Sequence, residues 1–466
     1  MNDRVVAAGL AALVIVARLP FATHTLWAWD SVLYARALEQ GFHVGVDLAD
    51  QRPHPPGYLF YVGAAAAARI FTADSNAALV VISVLASALT VAAVYLLCRR
   101  YADRALALVI AIGAATAPLV WTYGEVAMPY ALLGLLSIVL AVMLRDARAQ
   151  AWPAALVASA ALGFAAGFRQ DVLLLLGPLW LWLLAARPWR ERALCVAAVG
   201  VAALAWFLPS ASLSGGLTAY LASLGGQASR VSELSPAAGS DALVRNTLLT
   251  VYALFWGLLG FALLLAAGIV AWLTARRRLS EETMFFALWL VPAAFVYVTI
   301  HIGDPGYLMS VLPGLYVACA ALLAPIARRA TPIVLPWTAL FVAINAAVFA
   351  LGDGPFSASA IATHDRVTGQ RAAAVRAMAP SSTVVLARSD YLIARYYLPG
   401  YTVLFDGAAP EVLSSAVREM RVTSPTAVFY FGSLPSPLPA AVRLETERSG
   451  TIVPGAMLVA YDLEPR

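Results

Sequence analysis

The sequence predicts a polytopic α-helical membrane protein, and three observations carry that prediction. Hydrophobic residues fill 62% of the 466 positions and charged residues only 12%, about half the charged share of a soluble domain. Apolar runs of about 18 residues or more, each long enough to cross a bilayer, recur along the chain. Arginine clusters fall between those runs, as the positive-inside bias of cytoplasmic loops requires.

Taken in order, the runs give spans near 5–22, 76–98, 104–122, 127–144, 151–168, 171–186, 193–209, 247–274, 283–301, 307–326 and 331–351, eleven in all. The first lacks a small-x-small cleavage site and reads as a retained span. The clusters Arg99, Arg100 and Arg104, then Arg145 and Arg148, Arg187, Arg190 and Arg192, Arg276 to Arg278, and Arg328 and Arg329 all become cytoplasmic. The N-terminus then lies inside and the C-terminus outside. The net charge of +5 does not point to nucleic acid, because the arginines sit in short inter-span clusters. Cys98, Cys195 and Cys319 lie in or beside spans with no C-x-x-C spacing, so neither a disulfide framework nor a zinc site is indicated.

Between the first two spans lies a long polar loop, 23–75. Its run at 57–71 has 15 residues, about 22 Å of helix against a hydrocarbon core of about 30 Å. It reads as an interfacial helix, and 30–40 as a second one beginning at Asp30 or Ser31. The Gly-, Ser- and Ala-rich segment 210–246 reads as a mobile outer loop able to order over a substrate. Residues 1–351 thus form a transmembrane domain. In 352–466 strand-like runs appear at 383–387, 402–406, 427–431 and 456–461. Helical patterns lie near 361–379, 389–397 and 410–422, so this part reads as a small extracytoplasmic α/β domain.

Polar residues at the outer ends of the spans are the candidates for chemistry. Asp30 follows Trp27 and Trp29; it is either a helix cap in an aromatic belt or a functional carboxylate. Placed at the water–lipid boundary, it is expected to be partly desolvated and raised in pKa. Glu125 lies in an apolar hairpin where an unpaired carboxylate is costly. Arg169 suits bidentate phosphate binding, or forms a local ion pair with Asp171. His301, Asp304 and Tyr307 lie on a Gly- and Pro-rich turn, either a plain turn or an anion site. His24, His43 and His54 match no metal spacing, and His54-Pro55-Pro56 reads as a rigid turn. Two carboxylates and several cations at one face suit transfer from an anionic lipid-linked donor.

These elements resemble the GT-C superfamily of membrane glycosyltransferases, on the branch of the protein O-mannosyltransferases and aminoarabinose (lipid A) transferases. The resemblance rests on WAWDSVLYARALE with Asp30, the closing HPPGYLFY, YGEVAMPY with Glu125, GFRQD and HIGDPGYLMSVLPGLY. It covers about the first 330 residues. It implies a GT-C-like fold and a polyprenyl-phosphate monosaccharide donor used at the outer face of a bacterial inner membrane. It also implies inverting displacement onto a lipid, glycan or protein hydroxyl, with Asp30 as base; Glu125 reads as the second catalytic carboxylate, orienting the acceptor or an ion. Arg169, His301 and Tyr307 would hold the donor phosphate, and His54, Tyr58, Asp171 and Asp304 would bind other parts of the substrates. The first loop has a single Asp rather than an Asp-Glu pair or D-x-D, so a divalent cation stays open and no metal ligand is assigned. A lipid-linked oligosaccharide ligase, or a transporter or flippase with midplane polar residues, are the alternatives.

Overall fold

Capping residues set where the helices start. Helix α1 (Asp3–Arg18) opens where Asn2 accepts from the Arg4 amide. A short turn at Leu19–Phe21 leads into the first loop, which carries α2 (Trp29–Gln40) and α3 (Leu59–Ala68). The 10 residues of α3 reach about 15 Å, half a hydrocarbon core. Asp74 then caps α4 (Ser75–Cys98) and Asp103 caps α5 (Arg104–Thr116). Pro118 opens the short α6 (Pro118–Tyr123). There follow α7 (Tyr130–Ala149), α8 (Trp152–Ala165), α9 (Asp171–Ala185), α10 (Trp189–Leu213), α11 (Leu217–Glu233), α12 (Ser240–Leu258), α13 (Phe261–Thr274), α14 (Glu281–Thr299) and α15 (Leu312–Leu351). This computed structural model describes residues 2–47, 51–233, 235–236, 239–274, 280–405, 427–432, 443–446, 449–452 and 457–459. The cluster Arg276 to Arg278 and the helix expected at 410–422 lie outside them.

The chain is an integral membrane protein. Among the described residues 6 helices are long and apolar enough to cross a bilayer alone, or up to 7 with one bent pair. The eleven expected spans differ from this for local reasons. The run at 104–122 is split by Pro118 into α5 and α6, and the runs at 151–168 and 171–186 fold into helices of 14 and 15 residues. The expected single span 247–274 is two helices, α12 and α13, meeting at 98°. Leu259 turns there with φ 42°, and a Cβ on Gly260 would lie 2.0 Å from Phe341. The expected spans 307–326 and 331–351 run on as one 40-residue helix broken at Ala330, whose φ and ψ of −141° and 44° are non-helical. Segment 210–246 is largely helix, α11 and the start of α12, rather than an irregular loop. Its Ala, Leu and Gln content outweighs its glycines.

One end of the bundle is tied by charge. Asp3 of α1 accepts from Arg99 at 3.1 Å and from Tyr95 at 2.8 Å. Arg100 holds Asp146 of α7 through both guanidinium nitrogens, at 2.6 and 2.7 Å. Tyr101 and Arg145 both bind Glu282 at the start of α14. The opposite end therefore gathers the end of α1, α2, the α6–α7 link, the start of α9 and the end of α14.

Beyond α15, Ser357 caps α16 (Ala358–Arg376). Strand β1 (Thr383–Ala387), α17 (Tyr391–Tyr397), β2 (Thr402–Phe405), β3 (Ala427–Tyr430), β4 (Arg443–Thr446), β5 (Ser449–Ile452) and β6 (Met457–Val459) follow. The four-stranded sheet is parallel, in the order β2-β1-β3-β6. β4 and β5 pair antiparallel, a hairpin the sequence pattern did not suggest. This unit shares a core with the first loop: Leu26, Val32, Leu33 and Tyr34 pack in one cluster with Tyr391, Leu392 and Phe405. Asp365 of α16 accepts from the His24 and Thr25 amides at 2.8 and 2.9 Å, and from the Thr25 hydroxyl at 2.6 Å. Tyr397 accepts from the Leu26 amide at 2.9 Å.

Candidate active site

Asp30 stands in the first turn of α2, whose apolar face is buried, so its carboxylate is delivered to the edge of the first loop. A cavity of about 420 Å³ opens beside it. Its walls include Trp27, Trp29 and Asp30, Tyr130 from α7, Asp304 and Tyr307 from the late turn, and Ser389 and Asp390 from the turn after β1. Four separate parts of the chain thus meet around one space.

His54 Nε2 lies 3.6 Å from Asp30 Oδ1, and the Asp30 side chain keeps 33% exposure. The other ring nitrogen of His54 is 3.0 Å from the Pro55 carbonyl. Burial pushes the Asp30 carboxyl up, but the contact with His54, its charge and that of Arg169 outweigh burial, and the group sits below its ordinary value. The expected upward shift by desolvation is therefore reversed, because the first loop supplies its own cation. His54 is correspondingly raised: burial lowers it, and Asp30 more than compensates.

Arg169, at the α8–α9 turn, is 4% exposed. Its Nε donates to Asp171 Oδ2 at 2.8 Å, so the local ion pair forms. The guanidinium also lies 4.5 Å from the Tyr307 ring, 4.9 Å from Tyr130 and 5.6 Å from Tyr58. These are cation–π distances. Tyr130 and Tyr307 line the cavity, so Arg169 stands directly behind its wall. Charged Asp171 and the tyrosine hydroxyls around it outweigh burial and keep the guanidinium protonated. Tyr58 joins this cage, its ring edge-on to His54 at 5.8 Å.

The late turn is built on a close approach. A Cβ on Gly306 would fall 2.3 Å from the Tyr130 ring, so only glycine lets the turn seat against α7. Asp304 caps this turn, accepting from the Gly306 amide at 2.7 Å, and Tyr123 donates to the same carboxylate. Burial raises Asp304 despite those two donors. His301 lies farther out, its ring 6.3 Å from Tyr307, and it is not part of the cavity wall.

Glu125 is fully buried and away from that wall. Trp121 Nε1 donates to its Oε1 at 2.5 Å. Arg18, 1% exposed, donates to the Trp121 carbonyl at 2.7 Å in the same polar pocket. Burial pushes Glu125 up to about 8, with Arg18 and Trp121 opposing. Its Oε2 has no hydrogen-bond partner among the described residues. The structure thus brings Asp30, His54, Tyr58, Arg169, Asp171, Asp304 and Tyr307 together and sets Glu125 and His301 apart. Among the described residues no group of three or more His, Cys, Asp or Glu side chains is placed to hold a metal ion.

Sequence reasoning missed Tyr130, which sits inside a quoted motif, and Ser389 and Asp390. The last two carry one signal: they follow directly on a β-rich run, where parallel sheets place their ligands.

Known proteins share this architecture. Residues 53–212 match the model of the dolichyl-phosphate-mannose-protein mannosyltransferase family. The crystal structure of ArnT from Cupriavidus metallidurans bound to undecaprenyl phosphate superposes with a TM-score of 0.60, at 13% identity, covering 88% of this chain and 86% of that one. Apo ArnT from the same organism gives a TM-score of 0.55 at 15% identity, with 88% and 86% covered. No curated protein sequence matches the chain. Over residues 53–212 the chain is thus similar to the dolichyl-phosphate-mannose-protein mannosyltransferases, and in overall fold it is similar to ArnT.

Proposed function

We propose that the chain is a glycosyltransferase that moves one sugar from a polyprenyl-phosphate donor to an acceptor hydroxyl, with inversion, at the outer face of a bacterial inner membrane. The observation that carries this reading is a carboxylate, Asp30, on a cavity backed by a caged guanidinium, Arg169. Two supports come from outside the site. The arginine-tied end of the bundle is the opposite one, which by the positive-inside bias leaves the cavity outside. The similar ArnT holds undecaprenyl phosphate.

In the reaction, the acceptor O–H gives its proton to Asp30. The acceptor oxygen forms a bond to the sugar's anomeric carbon from the face opposite the phosphate. The carbon–oxygen bond to the phosphate breaks, and its electron pair leaves with the polyprenyl phosphate. His54 keeps Asp30 ionised and oriented, so the base is ready at neutral pH. Arg169 and the Tyr307 turn face the charge that grows on the departing phosphate.

Sugar transfer by the purified chain, using polyprenyl-phosphate sugars accumulated in a deletion strain, tests the reading. Wild-type transfer and its collapse in Asp30→Asn are expected. Full transfer by Asp30→Asn overturns it.

A further inference from the structure

The C-terminal sheet brings a second recognition element to the cavity. Its order, β2-β1-β3-β6, places β2 on one side of β1 and β3 on the other. In open parallel sheets, ligands bind outside the carboxyl ends of the strands where the order reverses. Here that crevice lies between β1 and β3. Ser389 and Asp390 follow β1, and Phe431 and Gly432 follow β3, where the Phe431 amide donates to the Leu386 carbonyl at 2.7 Å. A Cβ on Gly432 would come within 3.8 Å of Asp390 Oδ2. This carboxyl edge faces the Asp30 cavity, and Ser389 and Asp390 form part of its wall.

The turn is held firmly. Trp29 Nε1 donates to the Ser389 carbonyl, and Arg371 of α16 donates to Asp390 Oδ2 at 3.3 Å. The Asp390 side chain still keeps 31% exposure. A carboxylate offers about four lone-pair sites, so the arginine leaves acceptor capacity on this cavity-lining residue. Trp27 and Trp29 add flat apolar faces. A carboxylate beside indole faces suits a sugar ring, whose hydroxyls donate and whose C–H face is apolar. A serine or threonine on a protein would offer Asp390 only backbone N–H groups or neighbouring side chains, not a second hydroxyl fixed beside the reacting one.

We propose that Asp390 is the specificity-determining residue of an acceptor subsite, and that the acceptor is a carbohydrate presenting a second hydroxyl beside the one that reacts. Resting on the reading of Asp30 as base, this adds that the C-terminal domain selects the acceptor while the transmembrane domain holds the donor.

The test uses the full chain in lipid nanodiscs, radiolabelled polyprenyl-phosphate sugars from a deletion strain, and a glycan and glycolipid extract of that strain as acceptor. Asp390→Asn keeps the shape and an amide oxygen for Arg371; Asp390→Ala removes both. Undecaprenyl phosphate binding checks that each variant is folded. The expected result is a roughly tenfold or larger rise in acceptor KM, the worth of one charge-assisted hydrogen bond. Donor KM should not move, and the loss should fall on acceptor KM rather than on kcat. An unchanged acceptor KM, a raised donor KM, or label recovered in a protease-sensitive product overturns the proposal. Asp30→Asn, run in parallel, should lose kcat with both KM values kept. If it keeps kcat while Asp390→Asn shifts acceptor KM, the base assignment falls and the subsite stands.

Discussion

His54 Nε2 sits 3.6 Å from Asp30 Oδ1, joining the end of the first polar loop to its beginning. The loop thus closes on its own carboxylate and helps hold it below its ordinary value. Loss of a general base typically costs on the order of a hundred- to ten-thousand-fold in rate. Asp30→Asn should therefore keep undecaprenyl phosphate binding and lose turnover on that scale in a single-turnover assay. Retention of more than about a tenth of wild-type turnover reduces Asp30 to a helix cap.

The same pair predicts a pH effect. Asp30 lies below its ordinary value with His54 present, which places the acid limb of turnover low. His54→Asn removes the cation but not the burial. The acid limb of kcat should move to higher pH, and a pH–rate profile unchanged by the substitution would show that His54 does not tune the base.

Arg169 offers a different kind of test. Lysine keeps the charge but not the planar fork or the flat face that meets three tyrosines. Arg169→Lys should weaken undecaprenyl phosphate binding about tenfold and Arg169→Ala more, toward a hundredfold. Titration of the lipid into nanodisc-held variants reads both. Wild-type affinity in the alanine variant removes Arg169 from the phosphate site.

Glu125 should act on stability more than on catalysis. Its folded-state pKa is raised from 4.5 to about 8, so between those values the folded protein holds a proton that the unfolded chain has released. Stability contributed by this group is present at low pH and falls as pH rises through that window. Glu125→Gln removes the titration, so its thermal midpoint should fall less between pH 5 and pH 8 than that of wild type. Equal slopes would show that Glu125 ionises freely in the fold.

The turn after helix α3 carries two side chains that face outward, Ile70 at 80% and Phe71 at 91% exposure. They fit a helix lying in the membrane interface. A cysteine placed at the exposed Ala73 should react with an impermeant maleimide added outside intact cells. Labelling only after the cytoplasm is opened would place α3 across the bilayer.

The membrane class, the two short helices of the first loop and the four strands of the parallel sheet were legible because each rests on a local pattern: apolar runs, a cap, a β-branched stretch. Breaks inside apolar runs were not. Nothing in 247–274 shows that Phe341, eighty residues on, occupies the space a side chain at position 260 would need. The candidate site was legible at Asp30, Arg169, Asp304 and Tyr307, where polar residues interrupt apolar sequence. Glu125 has the same signature and a different setting, because its neighbour in space is Arg18, more than a hundred residues back. Asp390 escaped notice because an Asp after a strand in a water-facing domain is ordinary until the domain is docked.

That docking has a bearing on biosynthesis. The carboxylate that fixes the His24 and Thr25 amides belongs to Asp365, which the ribosome adds only after every membrane helix. Until α16 and the sheet have folded, the segment leading to Asp30 lacks its anchor and the cavity lacks a wall. An unfinished or truncated chain can therefore sit fully inserted in the bilayer without an assembled site. The wall of the cavity is thus completed by elements that follow α15 in the chain.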